Sequence, residues 1–104
     1  MNTPDIETPG WDVALEALLG ETCATEGRAL SIADLKTLAG THTIRLDDIL
    51  DTLCQLVRHG RWVYEQPPGV PAAPDDHMCK LLRANHRLND QQLARLAGDW
   101  RPAT

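Results

Sequence analysis

The 104-residue sequence has no apolar run approaching the roughly 20 residues that a membrane-spanning helix requires, so no membrane partner is expected. Its opening residues, MNTPDIETPGW, are acidic and lack the basic and apolar regions of a secretory signal, which makes the cytoplasm the expected location. Cysteine is scarce. Cys23, Cys54 and Cys79 are odd in number with no closely spaced pair, and in a reducing compartment they read as small core or half-buried residues. His77 and Cys79 lie two apart, with His86 further along, but positions two apart on a helix point in different directions, so no metal site is expected. Catalytic phrases are missing as well. There is no Gly-rich phosphate loop, no HExxH, no serine in a nucleophile elbow, and Cys54 and His59 are five apart and do not face each other on a helix. The expectation is a protein that is not an enzyme and carries no cofactor.

What is present is ordinary for a soluble globular protein: 42% hydrophobic and 24% charged residues. A chain of this length forms one compact domain burying roughly 65% of its unfolded surface. The formal net charge of −5 argues against a protein whose main task is coating phosphate backbones. That charge is unevenly distributed, with −5 from Met1 to Gly40, −1 from Thr41 to Pro74 and +1 from Asp75 onward. Eight of the ten bases are arginine, which suits planar contacts to carboxylate or phosphate.

The strongest periodic signal lies in Thr41 to Tyr64. Leu46, Ile49, Leu50, Leu53, Leu56 and Val57 form one stripe on a 3.6-residue period. Gly60 is suited to the left-handed conformation that stops a helix, Arg58 and His59 complement the helix dipole, and Arg61-Trp62-Val63-Tyr64 alternates as a strand. Before this stretch, residues 1–10 read as a flexible arm, and a first helix is expected from about Trp11 to Cys23 with Trp11, Ala14, Leu15, Leu18 and Leu19 on its apolar face. Ser31 and Asp34 form a candidate reciprocal cap for a short second helix that Gly40 is expected to end. After Tyr64, Glu65-Gln66-Pro67-Pro68-Gly69 predicts a turn, and Val70 offers only a stub of a return strand before Pro71. A linker over 71–75 leads to a fourth helix, capped by Asp75 and Asp76 and running to about His86. A short fifth helix follows from about Asn89 or Asp90 to Ala97, ended by Gly98.

One internal echo appears. Leu30–Gly40 and Leu88–Gly98 share the form L-x4-L-x2-LAG, which reads either as two short capped helices of similar construction or as a second, truncated helix-turn-helix.

The order of helix, short helix LSIADLKTLAG, long helix RLDDILDTLCQLVRHG and then RWVYEQPPG resembles the winged helix-turn-helix superfamily over residues 11–70. The phrase Leu53-Cys54-Gln55-Leu56-Val57-Arg58-His59-Gly60 carries much of that likeness. The fold expectation is therefore mainly α: a winged-helix-like three-helix core with a short β-hairpin wing, followed by a helical extension over 76–104. In DNA-binding members the third helix enters the major groove, and the resemblance maps that role onto Thr43, Arg45, Asp47, Asp48, Asp51, Thr52 and Gln55. Three of these are aspartates, which repel phosphate.

Two functional readings follow. In the first, the chain is a regulatory interaction module that binds a protein partner through Asp47, Asp48, Asp51, Trp62 and Tyr64. In the alternative it is a dimeric DNA-binding regulator that gathers Thr43, Arg45, Arg58 and Arg61 with the basic stripe Lys80, Arg83 and Arg87. The apolar faces around Leu81, Leu82, Leu93 and Leu96 must then either pair two copies or fold back on the core.

Overall fold

The computed structural model describes residues 11–103; the expected N-terminal arm lies outside them. Asp12 opens the first helix, its Oδ1 accepting from the Leu15 amide at 3.1 Å, and α1 spans Val13–Glu26. It starts two residues later than the expected Trp11 and runs past Cys23, because Gly27, at φ 69°, supplies the left-handed cap. Leu15 and Leu19 are buried beneath it.

The Ser31–Asp34 capping box forms in both directions, with Ser31 N–H to Asp34 Oδ2 at 2.8 Å and Asp34 N–H to Ser31 Oγ at 3.2 Å, and opens α2 (Ile32–His42). Gly40 does not end this helix. An internal glycine weakens a helix without blocking it, and here Thr43 takes the left-handed position at φ 54°. Arg45 then leads into α3 (Leu46–Arg58), whose stripe of Ile49, Leu50, Leu53 and Leu56 is fully buried.

Strand β1 (Trp62–Glu65) follows the Gly60 stop, and β2 (Pro71–Ala72) returns antiparallel with Tyr64 opposite Ala72. Pro71 and Ala72, expected in a linker, are therefore paired. Asp75 caps α4 (Asp76–Arg83) through the Met78 amide at 3.0 Å. This helix stops short of His86 because Asn85 adopts φ 71°, a conformation asparagine tolerates better than most residues. A second capping box, Asn89 with Gln92, opens α5 (Asp90–Leu93), which tightens into a 3-10 turn at Ala94–Leu96. The sequence echo thus corresponds to two capping boxes, each preceded by a buried leucine, Leu30 and Leu88.

The largest departure from expectation is the tail. Asp99–Pro102 forms β3, antiparallel to β1 with Tyr64 opposite Trp100 and Val63 opposite Arg101, giving the sheet order β2-β1-β3. Trp100 also bridges to Leu30 through two backbone hydrogen bonds of 2.8 and 2.9 Å. The four-residue strand ends in proline and is too short to show alternation, so the sequence pattern does not reveal it. The described chain is mainly helical with this small three-stranded antiparallel sheet.

Gly98 does not serve as a helix stop; it permits a close approach. Its N–H donates to the Tyr64 hydroxyl at 2.8 Å, and a Cβ at this position would collide with the Glu65 carbonyl oxygen and lie 2.6 Å from the Tyr64 ring. Gly98→Ala is expected to cost about 2 kcal/mol or more through overpacking, measured as a lowered midpoint in urea denaturation. The Arg28 guanidinium and the cap bonds hold the Asp34 carboxyl down at about 2, below its ordinary 3.8. A depressed carboxyl stabilises the fold above the unfolded value and loses that contribution as pH falls through the folded value. Arg28 is half-exposed, so the stability gap between wild type and Asp34→Asn is expected to be only about 1 kcal/mol at pH 7, closing between about pH 4 and pH 2.

Candidate functional site

The acidic row of α3 is largely answered from within the chain. Asp51 accepts from Arg83 of α4 at 3.0 Å, and Asp47 lies 3.9 Å from Arg45 and 4.0 Å from Arg87. Two of the three bases of the C-terminal stripe, Arg83 and Arg87, thus face the acidic row of the same molecule, while Lys80 pairs with Asp76 of its own helix. Asp48 differs: it is exposed and makes no ion pair or side-chain hydrogen bond among the described residues. Burial pushes the Asp51 carboxyl above its ordinary value; Arg83 opposes this shift and the neighbouring Asp48 adds to it. Asp51 Oδ1 is buried without a hydrogen-bond partner.

A groove of about 590 Å³ runs between α1 and α3 beside these carboxylates. Leu15, Leu18 and Ile44 supply its apolar surface, Trp11 stands at one end, and Asp48, Asp51 and Arg83 line its polar side. At the Trp11 end, the indole N–H donates to Glu16 at 2.9 Å, Glu16 accepts from Arg61 at 2.7 Å, and the Arg61 guanidinium sits 5.6 Å from the Trp11 ring centroid. His59 lies 5.1 Å from the same ring. This cluster ties the start of α1 to the corner between α3 and β1.

Two of the expected partner-binding residues are not on the surface. Trp62 is 4% exposed and Tyr64 1%, so both are core residues, and Tyr64 packs against Trp100 with centroids 4.5 Å apart. Asp47, Asp48 and Asp51 do share one helix face, as their spacing predicted. The candidate nucleic-acid residues are not gathered into a basic patch. Arg45, Arg61, Lys80, Arg83 and Arg87 each pair with a carboxylate, leaving Arg58 exposed without one among the described residues. Thr43 is exposed as the C-cap of α2, three residues before α3 begins at Leu46.

The apolar faces of the C-terminal segment fold back. Of the four leucines expected to need cover, Leu82 and Leu96 are buried with Met78 and Leu88 in the common core, and Leu81 and Leu93 are half-buried against it. Cys54 and Cys79, read from sequence as separate thiols, meet as a disulfide between α3 and α4 with their Cα atoms 5.8 Å apart. Nothing in a spacing of 25 residues announces this pair. Cys23 remains a free, half-buried thiol, its Sγ donating to the Arg28 carbonyl and burial raising its titration point. Among the described residues no group of three or more His, Cys, Asp or Glu side chains is placed to hold a metal ion. No described helix is long and apolar enough to cross a membrane.

The chain matches no family model, and neither a curated protein nor a solved structure matches it. The site is therefore read from its own geometry.

With the disulfide intact, one thiol per chain is expected to react with maleimide in non-reducing denaturant and three after reduction. Reduction is expected to cost roughly 3 kcal/mol in urea unfolding, given a closed loop of this length. Three reactive thiols before reduction would show that Cys54 and Cys79 are not joined.

Proposed function

We propose that this protein is a non-enzymatic interaction module of winged-helix-like arrangement that binds another protein through the acidic face of α3 where it borders α1. The order α1, α2, α3 and the β1–β2 hairpin supports the winged-helix reading, with β2 too short and too proline-rich to form an extended wing. The observation that carries the functional reading is electrostatic. Five of the six candidate phosphate-contacting bases are engaged by carboxylates of their own chain, while Asp48 has no such partner among the described residues and lines an open groove.

Surface ion pairs of this kind contribute only about 0–1 kcal/mol each, so a phosphate has little difficulty displacing a single carboxylate. The displaced carboxylate nevertheless stays within the same surface and repels the phosphate in turn. The winged-helix reading assigns Asp47, Asp48 and Asp51 to the helix face that a DNA reader offers to the duplex; Thr52 and Gln55 of that same assignment are buried, and the net charge of −5 gives no long-range attraction. A protein surface bearing apolar and basic groups meets no such penalty.

The discriminating measurement is fluorescence anisotropy with a labelled mixed-sequence duplex, titrated at low and moderate salt. The expected result is no association at about micromolar protein. Micromolar or tighter binding that weakens steeply with added salt, and is lost when Arg45, Arg58 and Arg61 are replaced by alanine, would replace the protein-binding reading with the DNA-binding one.

A further inference from the structure

The groove between α1 and α3 combines two features that separately carry little. Leu15, Leu18 and Ile44 give it an apolar lining, and one turn of α3 adds two carboxylates, Asp48 and Asp51, three residues apart and therefore neighbours on the helix surface. Arg83, the basic residue of the lining, already donates to Asp51 Oδ2. Asp48 has no such partner among the described residues, and its carboxylate stands at the boundary between the apolar lining and water.

That combination selects among occupants. A purely apolar side chain would fill the lining but strip water from Asp48 without replacing its hydrogen bonds, which is unfavourable for a charged group. An anion would meet the carboxylates directly. An ammonium donates in three directions, so it can rest on the Asp48 carboxylate and also face Asp51 Oδ2, which already accepts from Arg83; Asp51 Oδ1 is buried and is not offered to an occupant. An alkyl stem that lies along Leu15, Leu18 and Ile44 and ends in an ammonium satisfies both halves of the groove.

We infer that the α1–α3 groove docks a lysine side chain presented by a protein partner, with its methylenes on the apolar lining and its ammonium beside Asp48 and Asp51. This inference rests on the reading of the chain as a protein-binding module and names the chemistry that the module recognises. The chain's own residues 1–10, MNTPDIETPG, contain no lysine or arginine and carry Asp5 and Glu7, so they do not supply the complementary side chain.

The test uses the full chain, labelled with nitrogen-15, and two probes of equal length, hexylammonium chloride and hexanol, at constant ionic strength. Hexylammonium is expected to produce saturable shifts in the amide signals of Leu15, Ile44, Asp48 and Thr52, with hexanol at least about five-fold weaker. Asp48→Asn is expected to bring the ammonium down to the level of the alcohol, while Asp48→Glu, which keeps the charge, retains the preference. Thermal melts by circular dichroism establish that both variants are folded. Equal affinity for the two probes, an Asp48→Asn protein that binds as wild type does, or shifts located elsewhere would each overturn the inference. If hexylammonium ignores the groove and duplex DNA is not bound either, lysine recognition falls and the protein-binding reading stands. Tight duplex binding removes that reading and the lysine site with it.

Discussion

Trp100 ties the C-terminal strand to two earlier parts of the chain. Its backbone N–H and C=O bond to Leu30 at the entrance to α2, while the residues on either side pair with Trp62–Glu65. The indole itself is fully buried against Tyr64. A tryptophan removes a large apolar area from water, and here that burial is coupled to backbone pairing in both directions. The orphaned indole N–H is a cost against this, of order 1–3 kcal/mol. Gly98 is required two residues earlier because the chain passes tightly between the hydroxyl end of Tyr64 and the Glu65 carbonyl on its way to Trp100. The helices then have a sheet to rest on. Without β3, the Leu30 backbone and one edge of β1 would lose their partners, and the core would be open along that side.

The same closure governs the surface. Folding residues 76–103 back onto the first part of the chain places α4 beside α3, joined by the Cys54–Cys79 bond and by Arg83 on Asp51. A basic stripe that would give the chain a phosphate-binding face in isolation is turned instead toward aspartates. Beside this internally paired region lies the α1–α3 groove, with Asp48 and Trp11 in its lining. This surface favours a cationic, partly apolar contact over a polyanion, and it fits a small chain of net charge −5.

Much of the helical architecture was legible one segment at a time. The leucine stripe of α3, the left-handed Gly60, the Ser31–Asp34 box and the Asp75 cap all appear in the structure at the residues that announce them. The ends of helices were less legible, because Gly40 resembles a stop yet lies within α2, while Thr43 and Asn85 take left-handed positions that glycine would ordinarily claim. Trp62 and Tyr64 were legible as strand residues, and the sequence left both an interface and a core role open to them, since a sheet side chain faces inward or outward according to what covers it. The candidate site was read in part: the shared face of Asp47, Asp48 and Asp51 follows from helical spacing, but the groove beside them depends on how α1 is placed.

By itself, the sequence determined the Ser31–Asp34 box, the Asp75 cap and the leucine stripe of α3, because those interactions act over about one helical turn. Only the tertiary structure decided the rest. It paired Arg83 with Asp51, Gly98 with Tyr64 and Arg101 with Glu65 across 32 to 36 residues, and it joined Cys54 to Cys79. These contacts have no local signature. They arise when the chain closes around Trp100, and that closure determines which charges are matched internally and which, like Asp48, have no partner among the described residues.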